Sequence, residues 1–347
     1  MKMTFRWYGY DDKNTLDYIR QIPGMTGVVT ALYTVPVGEV WPEDEVKRLH
    51  DYVTSHGLEM EVIESVPVSE DIKLHRGDYK HHIENFKENI RILSRHGVKC
   101  ICYNFMPVFD WTRSQLDHKL PDGSEALVYY KEDVDKLDPT KLTLPGWDSS
   151  YKPSEVKELI EAYKELGEEG LWANLKYFLE EIIPVARECD VLMAIHPDDP
   201  AWPIFGIPRI ITCEKNLDRF LGLVDDHYNG LTLCSGSLGT NPQNDMVHLV
   251  KKYAAMDRIH FAHIRNIKLV GEESFEESAH YSKCGSLDMF GMIKAYHDAG
   301  YTKYIRPDHG RMIWDEKAKP GYGLYDRALG SMYITGIWEA LDRMEDK

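Results

Sequence analysis

Apolar, β-rich runs alternate with amphipathic stretches along the whole chain, and that alternation leaves few folds open. A strand that is followed by a helix and then another strand pairs in parallel, because the helix returns the chain and must bury its apolar stripe against the sheet. Eight such strands are read at 3–7, 28–32, 58–64, 98–105, 191–196, 231–235, 259–265 and 301–306. Between them, Val46, Leu49, Tyr52 and Val53 share one face of a helix over 43–56, and Ile83, Phe86, Ile90 and Leu93 share a face of the next. Eight strand-helix units predict an α/β fold, a (β/α)8 barrel with long strand-to-helix loop insertions. Barrels routinely run past 250 residues as one unit, so residues 1–347 are expected to form a single barrel domain.

The connections are asymmetric. Helix-to-strand turns are short and end in glycine: Ser-His-Gly at 55–57, Arg-His-Gly at 95–97 and Asp-Ala-Gly at 298–300. Glycine there takes the left-handed conformation that closes a helix. Strand-to-helix connections are long at 106–152, 197–213 and 267–285, all rich in turn-forming and polar residues. In a parallel barrel these loops lie at the C-terminal ends of the strands, the face that carries active sites. The longest, 106–152, is expected to serve as a lid or an oligomer contact, and a homodimer is the expected assembly.

Charge narrows the partners. Lys+Arg number 41 against Asp+Glu 57, a formal net charge of −16, and no basic run offsets it. Such a field repels polyanions, so nucleic acid is not expected as a partner. The N-terminus carries charges and a glycine where a signal peptide would be apolar, and no segment approaches the ~20 apolar residues of a membrane span. Six cysteines are scattered without a C-x-x-C pair, as reduced thiols are. The expectation is a cytoplasmic protein with no membrane partner.

Four metal-capable side chains fall at the ends of the last four strands: His196, Cys234, His263 and Asp308. Each alone has a structural explanation, but neighbouring strands lie about 4.8 Å apart, so inward side chains from four of them converge on one point. Two imidazoles, a thiolate and a carboxylate suit Fe²⁺, Mn²⁺, Co²⁺ or Zn²⁺ better than Mg²⁺. His309, next to Asp308, faces the other way on a strand and is free to act as an acid or base. Among 21 tyrosines, Tyr322 stands out because glycines flank it and permit close approach to a ligand. Arg6, Arg265, Lys268, Arg306 and Arg311 lie at or just beyond strand ends, where a guanidinium can grip a carboxylate through two hydrogen bonds. Trp7, Tyr8, Asn104, Trp111 and His280 are candidates for a polar, aromatic-walled sugar pocket.

Taken together, the opening Met-Thr-Phe-Arg-Trp-Tyr-Gly, the set His196, Cys234 and His263, the run Arg306-Pro307-Asp308-His309-Gly310 and the later Pro320-Gly321-Tyr322 resemble the mannonate dehydratase family over nearly the whole chain. The resemblance implies a TIM-barrel hydro-lyase that converts D-mannonate to 2-keto-3-deoxy-D-gluconate in hexuronate (glucuronate) catabolism and requires Mn²⁺ or Fe²⁺. It implies the four ligands named above, with His309 and Tyr322 as the acid/base pair. Tyr322 is taken as base and His309 as acid, an order that could be reversed. Arg6, Trp7, Arg265, Lys268 and Arg306 are the expected substrate contacts, while 69–75 and 281–284 match nothing residue by residue. Competing expectations are a divalent-metal sugar isomerase or epimerase on the same barrel, a metal-dependent endonuclease, which the charge disfavours, and a non-catalytic sugar-acid-binding protein.

Overall fold

The computed structural model describes residues 1–139 and 153–345. Its strands are β1 (Lys2–Arg6), β2 (Met25–Thr30), β3 (Glu59–Glu64), β4 (Cys100–Tyr103), β5 (Gln115–Lys119), β6 (Glu125–Tyr129), β7 (Leu192–Ile195), β8 (Asn229–Cys234), β9 (Ile259–Ile264), β10 (Ile267–Gly271), β11 (Ser274–Glu277) and β12 (Tyr304–Pro307). Eight of these close a parallel barrel in the order β1-β12-β9-β8-β7-β4-β3-β2. They are the eight strands read from the sequence, with ends that differ by at most three residues.

Period-two alternation sorts their side chains. Val29, Val62, Cys100, Cys102, Ala194, Phe261 and Tyr304 fill the inside of the barrel, while Ile63, Ile101, Ile195, Leu233, Ile264 and Ile305 face outward into the layer shared with the helices. The helix Glu43–Ser55 buries Val46, Leu49 and Val53 there, and Tyr79–Arg95 buries Ile83, Phe86, Ile90 and Leu93. Each such side chain removed from water contributes about 2 kcal/mol. Tyr52 departs from its expected place and is 38% exposed. Gly57 and Gly97 end the two helices at φ 75° and 83°, as their turns require. Among the described residues, no helix is long and apolar enough to cross a membrane.

The insertions correct one expectation. Segments expected to be loops supply β5, β6, β10 and β11, which form a second, antiparallel sheet in the order β10-β11-β6-β5. The reason is a shared apolar face: Tyr129, Val134, Trp202, Ile204, Ile267 and Phe275 pack as one cluster drawn from all three insertions. Tyr129 and Phe275 stack with ring centroids 5.9 Å apart, a contact contributing about 1 kcal/mol beyond its area. The stretch 140–152 of the first insertion lies outside the described residues.

Candidate active site at the barrel mouth

The inward alternation continues one step past the barrel core and becomes polar at the C-terminal rim. Ala194 is followed by His196, Thr232 by Cys234, Phe261 by His263, Tyr304 by Arg306 and then Asp308, Val62 by Glu64, and Thr4 by Arg6. Strand register sets Cys234 opposite His263, and His263 opposite Arg306. Donor atoms of His196, Cys234 and His263 all lie within 4.8 Å of one another. Asp308 completes the group, with Oδ2 3.5 Å from Cys234 Sγ and 3.9 Å from His263 Nδ1. The four residues expected to meet are therefore brought together.

Their environments suit a cation. His196 Nδ1 lies 2.7 Å from the Pro197 carbonyl, which leaves Nε2 as the free donor. Burial, then Arg306, lowers the pKa of His263 to about 4 and keeps the ring neutral. Burial opposes the charge on Asp308, but Arg306 with His309 outweighs it and holds the carboxylate well below its usual range. Asp308 Oδ1 is buried and faces Arg306 Nη1 at 2.9 Å without hydrogen-bond geometry. Burial, then Asp308, pushes the Cys234 thiol up to about 12, a shift that coordination to a divalent ion reverses. A buried, mixed His/Cys/His/Asp donor set gathered within a few ångströms fits a first-row divalent metal.

Above this group a cavity of about 720 Å³ opens, lined by Arg6, Tyr8, Glu64, Asn104, Trp111, His196, Arg306, Asp308, His309, Lys319 and Tyr322 among others. Cys234 and His263 sit fully buried beneath its floor. His309 Nε2 is 2.7 Å from the Tyr322 hydroxyl, and Trp111 meets the imidazole edge-on at 5.6 Å. Tyr322 is fixed through its carbonyl, which accepts from Asn14 Nδ2 at 2.7 Å and Arg327 Nη2 at 2.6 Å. Gly321 is required before it: φ is 77°, and a Cβ would lie 2.6 Å from Leu127 Cδ1. Burial, then Tyr8 and Asp308, raises the Tyr322 phenol well above its ordinary value, against the pull of Arg306.

Arg6 and Arg306 both reach the cavity and share one carboxylate. Arg306 Nη2 donates to Glu64 Oε1 at 3.0 Å, and Arg6 Nη1 lies 3.8 Å from Glu64 Oε2. Burial opposes the ionisation of Glu64, yet Arg306, His263 and Arg6 hold its pKa well below normal. Glu64, absent from the sequence-based candidates, ends an apolar strand on its inward parity, which is the signal that would have found it.

Three expected substrate contacts do not reach the cavity. Trp7 has the outward parity of β1, is 2% exposed and packs against Tyr10 and Tyr52. Lys268 lies exposed on β10, opposite Glu276, in the antiparallel sheet. Arg265 follows the last residue of β9, where Ser235 Oγ accepts from its backbone N–H at 2.8 Å. The turn aims its guanidinium behind the site, where Nη1 meets Asp199 Oδ2 at 2.6 Å and Nη2 meets Glu277 Oε1 at 2.7 Å. Of the weaker candidates, His280 Nε2 donates to the Ile264 carbonyl, 2.9 Å away, and Arg311 is held by Asp122 and Asp326.

The comparisons with known proteins agree across the whole chain. Residues 1–347 match the family described as D-mannonate dehydratase (UxuA). The chain is 55% identical over 343 residues to "Mannonate dehydratase 2" of Halalkalibacterium halodurans, covering 98% of this chain and 99% of that protein. It is 55% identical over 359 residues to a mannonate dehydratase of Thermotoga petrophila, covering 100% and 99% respectively. The crystal structure of mannonate dehydratase from Streptococcus suis serotype 2 superposes with a TM-score of 0.94 at 48% identity, covering 100% of this chain and 96% of that one. A xylose isomerase-like TIM barrel protein from Mycobacterium smegmatis shares the fold at 14% identity and a TM-score of 0.53, over 94% and 87% of the two chains.

Proposed function

The chain belongs to the D-mannonate dehydratase family, and from that premise we propose how the barrel mouth carries out the reaction and with which residues. The enzyme is a hydro-lyase: D-mannonate loses the proton next to its carboxylate and the hydroxyl on the following carbon, giving 2-keto-3-deoxy-D-gluconate, a step of hexuronate catabolism. The observation that carries the assignment of residues is the 2.7 Å contact between His309 and Tyr322 beside the three clustered donors and Asp308.

His196, Cys234, His263 and Asp308 would hold the metal, with Mn²⁺ or Fe²⁺ as the ion proposed. When bound, that ion supplies Lewis-acid stabilisation of the negative charge that builds up beside the carboxylate as the proton leaves. The remaining work falls to the chain's own groups. Moving one proton from the Tyr322 hydroxyl to His309 Nε2 creates a phenolate base and an imidazolium acid together. Tyr322 then takes the substrate proton, and His309 gives its proton to the departing hydroxyl. Both residues return to their starting states, so the pair needs no external proton. Burial raises the Tyr322 phenol and opposes this transfer, so the phenolate would depend on the positive charge of Arg306 and of the bound ion to lower it.

Arg6 and Arg306 are the proposed partners of the substrate carboxylate. Their two positive charges are balanced by Glu64 and Asp308, so a divalent ion would make the mouth positive within a chain of net charge −16. That local reversal is what an acid substrate needs. The protein is proposed to work in the cytoplasm, a compartment suited to its six free cysteines, and as a homodimer, whose mass light scattering would read.

The test is a turnover assay on chelator-stripped protein with D-mannonate and a panel of other sugar acids, with and without Mn²⁺, following formation of the 2-keto-3-deoxy acid. Metal-dependent product from mannonate is expected. A metal-loaded enzyme that gives no product, or only redistributed sugar isomers, would overturn the assignment.

A further inference from the structure

Behind His309, on the side away from Tyr322, the three insertions bury a group of four charges. Arg113 comes from the first, Asp199 from the second and Glu277, at the end of β11, from the third, while Arg265 joins them from the end of β9. All four are 2% exposed or less. Arg265 grips Glu277 with both arms, Nε to Oε2 at 2.8 Å and Nη2 to Oε1 at 2.7 Å, and Arg113 Nη2 adds a third contact to Oε1 at 3.0 Å. Two arginines and two carboxylates compensate one another, which is a complete structural arrangement in itself. Glu277 nevertheless has a further neighbour: its Oε1 lies 3.4 Å from His309 Nδ1.

This contact has a consequence for the imidazole. A ring has two nitrogens, and only one orientation puts Nε2 at Tyr322. Turning the ring over would present carbon to both Tyr322 and Glu277. A neutral ring must also choose which nitrogen carries its proton, and Nε2 can accept from the Tyr322 hydroxyl only if the proton is on Nδ1. Glu277 accepts hydrogen bonds and donates none, since Arg265, His309 and Arg113 outweigh burial and bring its pKa to about 2. It therefore selects the protonated Nδ1.

We infer that Glu277 is a positioning residue for the dehydration, a carboxylate that the insertion sheet places behind His309 to fix the ring orientation and the Nδ1–H tautomer, so that Nε2 is the atom facing Tyr322. Arg265 and Arg113 hold Glu277 ionised and immobile for that task. The inference rests on the functional reading above. It adds that the antiparallel sheet, which lies outside the barrel, completes the acid/base apparatus.

The test compares the wild type with Glu277→Gln and Glu277→Asp as Mn²⁺-loaded enzymes on D-mannonate, with metal content and thermal unfolding measured on the same samples. Glu277→Asp keeps the charge for both arginines but withdraws it from Nδ1, so it serves if the glutamine variant fails to fold. The expected result is a fall in kcat of about 100-fold with KM and metal content within about twofold of wild type, because only the transition-state interaction is lost. A folded, metal-loaded variant whose kcat stays within about twofold of wild type would overturn the inference while leaving the functional reading intact. A wild type without turnover would remove the reading and the inference together. Independently of activity, a neutron structure of the wild-type enzyme should show a deuteron on His309 Nδ1 directed at Glu277, and a bare Nδ1 would overturn the role of Glu277.

Discussion

The metal-capable group and the charge cluster behind His309 both hold buried carboxylate and both adjoin His309, yet they are built in different ways. His196, Cys234, His263 and Asp308 sit at the ends of four strands that are consecutive in the barrel order, the first three two residues beyond a side chain inside the barrel and Asp308 four beyond Tyr304. Arg113, Asp199 and Glu277 come from three separate insertions and are joined by hydrogen bonds to one another and to Arg265. The first group inherits its geometry from backbone periodicity. The second exists only because three excursions pack over a common apolar cluster and neutralise one another. The proposed metal site thus stands on the rigid strand ends, while a less regular layer backs the histidine proposed to move a proton.

The largest effect expected falls where the two regions meet. His309→Asn should lower kcat by about 1000-fold, within the range for loss of a general acid or base, while metal content stays near wild type by elemental analysis. Loss of the metal in that variant would place His309 among the ligands and erase the distinction between the two groups. Next comes the insertion cluster itself. Arg113→Met leaves Asp199 and Glu277 to share Arg265, and should cost about 3 to 5 kcal/mol in urea unfolding because a buried carboxylate loses its partner. Unfolding within 1 kcal/mol of wild type, an order-of-magnitude bound for surface changes, would mean the cluster is no support at all.

Cys234→Ser tests the strand-end group alone. It should weaken Mn²⁺ retention by on the order of 100-fold, since even outer partners of a metal ligand typically matter 10–100-fold, with the fold intact by circular dichroism. Unchanged metal stoichiometry after dialysis would remove the thiol from the ligand set. The smallest effect belongs to Lys268→Ala, at a solvent-facing position of the antiparallel sheet, where kcat/KM should stay within about twofold. A large rise in KM there would show that the sheet reaches the substrate directly and not only through His309.

Much of this was legible from residues alone, and the limits follow the same division. The eight barrel strands, the helices carrying Ile83 to Leu93, and the positions of His196, Cys234, His263 and Asp308 all come from short-range periodicity. The pairing of His309 with Tyr322 does not: the family resemblance implied it, and the loop after β12 brings the two side chains to 2.7 Å. Trp7 was misplaced although its parity on β1 already points it outward. Arg265 departs for a subtler reason: like His196 and Asp308 it lies one residue past its strand, but Asp199 and Glu277 hold its guanidinium behind the site. Lys268 and Glu277 lie in a hairpin whose second strand pairs with residues more than a hundred positions earlier.

What the sequence by itself determined is whatever a period of two or 3.6 residues can encode: which segments pair, which face of each is buried, and which side chains a closed barrel must deliver to its rim. Only the tertiary structure decided that the long insertions form a sheet, that Arg265 turns from the cavity to the wall, and that a glutamate 32 residues before His309 stands behind its ring. The physical reason is that buried charges choose partners by proximity and compensation, and those depend on where distant segments come to rest.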